Sequence, residues 1–416
     1  MRIFLHECKK ALTSPILIAL LIVFSAFNIF IIVSSSDHKE ELKMVNEIID
    51  RYGREITDDS LKQFQKDIQN DLLELKGITG QQFDSVYVFL DGLRFEEQEQ
   101  YSDKDWEFIN SLQLKEMYFS MANSIDESYA EIDVVAGGQG DLKRYGIGGK
   151  AAETYSEENE EFAERFKEMV NNEEHKEWFF AGKSYFMHSF LFKTVFLHII
   201  IESLLLIVLM TALITTYEFE NRTQLLTYST RRGRKLMKDK LAASLAVSTV
   251  ISLLLFTITL GTYFFLFDYS HVWETSISSA FNWEYNFPNV TWWDLSVGEF
   301  LIGVLVLVFI IQLLFSGLTF ALSVIVKSSY ITFFLFATLF VLGWLLPTFM
   351  PKSSNLLFVS SYTLSTLTMA ISQSFMGSNG LILFKNFEWM TISCWMVITI
   401  VFCAITYKYF RKMDIQ

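Results

Sequence analysis

The chain has 416 residues, 51% of them hydrophobic and only 19% charged, with a mean hydropathy of +0.29. Soluble globular chains carry about 25% charged residues, so an ordinary soluble enzyme is excluded, and four prolines and 19 glycines exclude a disordered or collagen-like chain. Cys8, Cys394 and Cys403 make neither a disulfide framework nor a metal-ligand spacing, and the net charge of −13 is spread very unevenly along the chain.

Residues 1–14 have the pattern of an interfacial helix. Phe4, Cys8, Ala11 and Leu12 share one face, His6, Glu7, Lys9, Lys10 and Thr13 point elsewhere, and Pro15 ends the segment. A first transmembrane helix is expected over 15–35, with its apolar run at Ile16–Val33. That run is longer than a signal-peptide core and lacks a small-residue cleavage site, so it reads as a retained span.

Residues 36–187 have a different composition. From Asp37 to Lys183 there are 35 Asp and Glu against 17 Lys and Arg. Apolar residues at three- and four-residue steps predict helices through Leu61, Phe64, Ile68, Leu72 and Leu75 after an N-cap region at Asp58–Ser60. Others run through Trp106, Ile109, Leu112, Met117, Met121 and Ile125, and through Phe162, Phe166, Met169 and Val170. Gly137–Gly149, with six glycines in thirteen positions, reads as a loop. Gly149-Lys150 imitates the end of a phosphate-binding loop, but Arg144 stands at the first glycine and Ala151 where a hydroxyl would ligate magnesium, so no nucleotide site is expected. The cluster Glu157, Glu158, Glu160 and Glu161 lacks the oxygen spacing and turn glycine of a calcium loop, so no metal site is expected, and a solvated acidic face is the simpler account.

The second span is expected over 188–216. It carries Glu202 four residues after His198, and an intramembrane carboxylate is a candidate for a substrate path unless it bonds locally within the bundle. A 217–240 loop follows, longer than a simple turn needs. Glu218–Tyr228 has no Gly or Pro and predicts three turns of helix with Phe219, Leu225 and Leu226 as apolar contacts, before Arg231, Arg232, Arg234 and the lysines that lead into span three. Residues 241–416 hold four more spans, Leu241–Phe267, Phe300–Val326, Tyr330–Met350 and Met390–Tyr407. The loop between spans three and four carries Trp273, Trp283, Trp292 and Trp293, a composition expected along a membrane surface. Outside 37–183, 14 of 17 Lys and Arg fall before span one, in 217–240, between spans four and five, or after span six. The positive-inside rule then puts both termini and the 217–240 loop in the cytoplasm, and makes 36–187 an extracytoplasmic helical domain. The fold class is an all-α polytopic membrane protein with six transmembrane helices.

This layout resembles the ABC-2 type permease family, the membrane subunits of ATP-binding-cassette exporters. Glu7, Lys9 and Lys10 match the N-terminal Glu-Lys-Lys-like stretch, and Glu218, Thr223, Leu225, Leu226, Arg231, Arg232 and Lys240 follow the order of the coupling loop. The chain departs from the pattern at Arg222, where many members have Gly, and at Ser229-Thr230, where a proline is common. The resemblance implies a multi-pass protein of the bacterial plasma membrane that is not itself an enzyme and has no cofactor of its own, ATP and magnesium residing on separate ABC ATPase subunits. It implies a second permease subunit, no nucleic acid, re-entrant outer helices near 355–385, and export of an amphipathic or hydrophobic substrate such as a peptide or antibiotic. ATPase coupling would fall to Glu218, Phe219, Thr223, Leu225, Leu226, Arg231 and Arg232. A membrane sensor or scaffold whose outer domain binds a ligand is the alternative. A membrane-embedded hydrolase would have only His198 and Glu202 to work with, and no second metal ligand of suitable spacing.

Overall fold

A computed structural model describes residues 2–36, 39–180, 188–228, 233–284, 287–377 and 380–413. Six helices in it are long and apolar enough to cross a membrane, as expected from the runs of about 20 apolar residues. They are α2 (Pro15–Ser34), α10 (Phe196–Glu220, preceded by a π-helical turn at Phe190–Val195), α12 (Leu236–Leu266), α13 (Val297–Val326), α14 (Ser329–Leu345) and α17 (Phe387–Lys412). Proline at the first position starts α2 cleanly after the short helix α1 (Arg2–Leu12), because its missing N–H is one the helix leaves unbonded anyway. Ser296 and Glu299 exchange hydrogen bonds in a capping box that opens α13, so Glu299 is spent on the helix start.

The bundle has a core and a periphery. In their most apolar stretches α10 is 67% buried and α13 56%, against 17% for α2 and α14. Lipid tails are as apolar as leucine, so packing between helices in hydrocarbon rests on close approach and hydrogen bonds. Ser244, Ser248 and Ser252 run down one face of α12 at four-residue spacing, all at most 1% exposed. Ser248 Oγ donates to Ser316 Oγ of α13 at 2.9 Å, and Ser316 Oγ lies 3.1 Å from Thr211 Oγ1 of α10. Gln312 of α13 accepts from Ser252 and donates to Ser203 of α10. These bonds tie α10, α12 and α13 together.

Between α2 and α10 lies a helical domain, built from α3 (Lys39–Tyr52), α4 (Asp58–Thr79), α5 (Val86–Gly92), α6 (Asp103–Asn123), α7 (Ile125–Ala130), α8 (Val134–Tyr145) and α9 (Gly149–Asn171). Phe64, Ile68 and Leu75 of α4, Ile109 and Leu112 of α6, and Phe162, Phe166 and Met169 of α9 are buried as their spacing predicted. The cap of α4 is Thr57, with Ser60 completing its capping box. On α6 the buried face turns toward Tyr118 and Ala122, leaving Met121 37% exposed.

Two expectations are corrected here. Much of the glycine-rich stretch expected as a loop is helix α8, capped by Asp133 and ended by Gly146 in the left-handed region. Glycine lowers helix propensity by about 1 kcal/mol per residue, but a Cβ on Gly138 would come 2.3 Å from the Asn159 side chain, whose Nδ2 bonds Val134 O. Close packing of α8 on α9 therefore requires the small residue. In the tryptophan-rich loop Trp292 turns inward rather than toward a surface: it is 3% exposed and its Nε1 donates to Leu383 O at 3.0 Å, while Trp273, Trp283 and Trp293 are partly exposed. Phe281 of the same loop packs on Tyr118 and Trp178 of the domain, at 5.7 and 5.6 Å between ring centres. A two-residue β-ladder pairs Trp283–Glu284 with Phe287–Pro288.

The domain is seated on the loops that join the spans at its end of the bundle. Arg165 of α9, 7% exposed, ion-pairs with Glu174 and donates from Nε to Thr291 O at 3.1 Å. Ala280 N donates to His175 O, Asn46 Nδ2 to Asp268 O, and Lys352 Nζ to Tyr145 O. After α14 the chain makes the short helices α15 (Leu356–Val359) and α16 (Leu364–Met369). Thr363 Oγ1 donates back to Gly343 O of α14, so this segment folds back against that helix.

His175 is 1% exposed and stacks on Tyr129 at 4.5 Å, facing Lys176, Asp126 and Glu173. Burial, and then Lys176, push its pKa below the ordinary value. The unfolded chain therefore binds the extra proton first, so stability is lost as pH falls through about 6.5. The thermal midpoint of the detergent-solubilised protein is expected to drop between pH 7.5 and 5.5, with a shallower drop in His175→Gln; parallel profiles would contradict this.

Candidate functional site

The end of the bundle opposite the domain gathers α1, the start of α12, the end of α17 and the 217–240 loop. The expected three-turn helix over Glu218–Tyr228 is not formed. Instead α10 runs on to Glu220, Asn221 caps it through a 2.8 Å bond from Nδ2 to Tyr217 O, and Arg222 turns the chain at φ 55. Only then does the five-residue helix α11 (Gln224–Tyr228) follow. A left-handed residue after a helix satisfies its last carbonyls, here through Thr223 N to Glu218 O at 2.9 Å. Glu218 and Glu220 thus sit at the C-terminal, electronegative end of a long helix, where each carboxylate needs a partner.

Glu218 is 6% exposed, and the fully buried Lys240 of α12 forms its ion pair. Lys240 Nζ also donates to Ile214 O at 2.5 Å, and Tyr228 OH donates to Glu218 Oε2 at 2.8 Å. Burial, then the Glu218 charge, hold the Tyr228 hydroxyl well above the usual tyrosine range, so it stays a donor. Glu220 Oε1 accepts from Ser329 N and Oγ, both at 2.6 Å, placing a negative charge at the N-terminus of α14. Phe219 rests between Tyr228 and Phe410 of α17, 5.6 and 6.4 Å from their ring centres.

The N-terminal helix joins the same cluster. Glu7, expected to point away from the apolar face, is 6% exposed and 3.8 Å from Lys10 Nζ. Lys10 lies over the Tyr217 ring, and burial lowers its pKa against the pull of Glu7, with the charges of Lys240 and Glu218 also bearing on it. α1 packs along α12 and touches α10. Buried charged and hydroxyl groups therefore link α10, α11 and α12, and the half-buried Lys10 brings α1 against α10 at the exposed Tyr217.

The candidate coupling residues separate into groups. Thr223 is exposed, Leu225 is 56% exposed and Leu226 79%. The Glu218 carboxylate is turned inward, bonded to Lys240 and Tyr228 inside the bundle. Phe219 is half-buried and holds α11 down. Arg231 and Arg232 lie outside the described residues. Past them, Gly233 meets the chain so closely that a Cβ would come 1.9 Å from Thr227 O. Arg234 Nη1 bonds Arg411 O, fastening the loop to α17.

His198 and Glu202 do face the same neighbour, but not each other. Glu202, 7% exposed, accepts from Asn28 Nδ2 of α2 at 2.7 Å, and Asn28 also reaches Thr259 of α12 at 3.1 Å. His198 packs on Phe27 at 5.5 Å. The carboxylate is thus a fastening for α2, in line with local bonding inside the bundle. Sequence reasoning missed Asn28, Gln312, Lys240 as a buried group, and the α12 serines; the four-residue Ser spacing on an apolar helix was the available signal.

No family model, no curated protein and no solved structure matches the chain.

Removing one partner of a buried ion pair costs about 3–5 kcal/mol, while replacing both with apolar residues costs far less. Lys240→Met and Glu218→Met are each expected to lower the thermal midpoint in detergent strongly, and the double variant to recover most of the loss. Additive losses in the double variant would show that the two side chains do not stabilise the fold as a pair.

Proposed function

We propose that this chain is the membrane subunit of an ABC-2 type exporter, with the 217–240 loop as its contact to a separate ATPase. The observation that carries the reading is the contrast within the loop. Glu218, Tyr228 and Lys240 are locked into the bundle, while Leu225 and Leu226 stand out from it on a short helix. A displacement of α11 would reach α10 and α12 through Glu218, and α1 through the Lys10 and Tyr217 contact, without first dissipating in a flexible loop. In this reading the loop end is cytoplasmic, the helical domain is extracytoplasmic, and the chain resides in a bacterial plasma membrane. Two such subunits, identical or related, pair with two ATPase subunits that supply ATP and magnesium. Closure of the ATPases shifts the packing of the spans and releases substrate outward.

The test is affinity purification of the tagged chain in mild detergent. The reading expects a soluble Walker-motif ATPase to co-purify and to be lost, at least tenfold, from the Leu225→Asp, Leu226→Asp double variant with monodispersity intact. A well-folded native chain recovered without any ATPase would overturn it, and would favour a membrane sensor built on the helical domain.

A further inference from the structure

Between α13, α14 and α17 lies a cavity of about 530 Å³ walled by Phe315, Phe336, Phe340, Trp395 and Phe402. It follows α14 from Phe336 to Leu346, a helical length of about 15 Å at 1.5 Å per residue. That is half of the ~30 Å hydrocarbon core, the depth of one leaflet's tails. Leu339 and Leu342 of α14 and Ile398 of α17 line the cavity and are also 48, 52 and 47% exposed, so it opens sideways toward lipid. Thr363–Ser365 of the re-entrant segment close it at the domain end.

A second cavity, of about 650 Å³, is lined by the next residues along the chain. Leu346 lines the first, Pro347 and Thr348 line the second, and Tyr145 and Ile147 of the helical domain cover it. Its lining is mixed, and Lys352 is the one charged side chain among the described residues that form it. An ammonium has three donors, and one of those on Lys352 goes to Tyr145 O at 2.6 Å.

We propose that the two cavities together bind an amphiphile with an acyl-type tail and an anionic head group, taken sideways from the leaflet on the domain's side. The apolar slot takes the tail, and the head lies under the domain beside Lys352. Mostly apolar walls with a few convergent polar groups, at these volumes, are the usual make-up of a small-molecule site. A second copy of the chain laid over Leu339 and Leu342 would cover the mouth, but it would leave the slot unfilled and bring no anion to Lys352. Binding of this kind goes beyond the exporter reading and needs no ATPase, so the two stand or fall separately.

The test equilibrates the purified full chain, in a neutral maltoside detergent, with diazirine-bearing palmitate or its methyl ester, then irradiates and maps labelled peptides by mass spectrometry. Labelling is expected to concentrate in 336–346 and 395–402 and to fall at least fivefold in Leu342→Trp, which plugs the mouth. Leu342→Ala, which leaves it open, should label as the native chain does. Lys352→Glu should lower palmitate labelling at least fivefold while leaving the ester within twofold, and Lys352→Arg should label normally. Labelling spread evenly over the six spans, or undiminished by Leu342→Trp, would overturn the proposal. So would a Leu342→Cys chain that crosslinks to a second copy and excludes the probe.

Discussion

The buried pair of Glu218 and Lys240 is the constraint around which the loop end of this protein is arranged. A carboxylate on the last turn of a helix meets that helix's own negative end, and Glu218 is also withdrawn from water. Lys240 answers both problems because it neutralises the carboxylate and donates to a carbonyl of the same helix, Ile214 O. The arrangement then dictates where α12 must begin, since its lysine has to arrive beside the last turn of α10. Between the two helices, Tyr228 is bonded to Glu218 and Arg234 to Arg411 O. The described parts of a long loop are thereby braced, with Leu225 and Leu226 exposed.

The same logic continues through the membrane. α10, α12 and α13 can approach closely because serines and threonines face one another where larger side chains would hold the helices apart. Many of these hydroxyls bond a neighbouring helix or their own preceding turn, as with Thr215 to Thr211 O at 2.7 Å. α2 is fastened to this core by Asn28, and the start of α14 by Glu220. At the other end, Arg165 and Glu174 play the corresponding part for the domain, with an ion pair bonded onto the backbone of the 267–296 loop. The two ends are therefore joined by a rigid central trio.

What was legible in the sequence was what depends on one stretch of chain alone. Spans are a matter of length and apolarity, and α2, α10 and α13 lie where their runs put them. Buried faces such as Phe64–Ile68–Leu75 follow from the helical period. What was not legible depends on a partner far away in sequence. Nothing local says that Asn159 leaves no room for a side chain at Gly138, or that Glu218 is turned inward by a lysine 22 positions on. Arg222 is an unremarkable residue in the left-handed region, so the break between α10 and α11 had no glycine to announce it. The tryptophan loop misled for a related reason: its rings suit a membrane surface equally well, and only a partner distant in sequence, Leu383 O, turns Trp292 inward. Of the site, the exposed pair Leu225 and Leu226 could be read directly, whereas the brace beneath them could not.

The claim that the loop is braced to α1 through the Glu218 cluster is tested most directly by hydrogen exchange, comparing the native chain with Lys240→Met in the same detergent. Loss of the lysine is predicted to speed exchange in α11, in the last turn of α10 and in α1 together, while the α12–α13 serine seam and the helical domain keep their protection. Faster exchange confined to the first turn of α12, with α1 and α11 unchanged, would contradict the account.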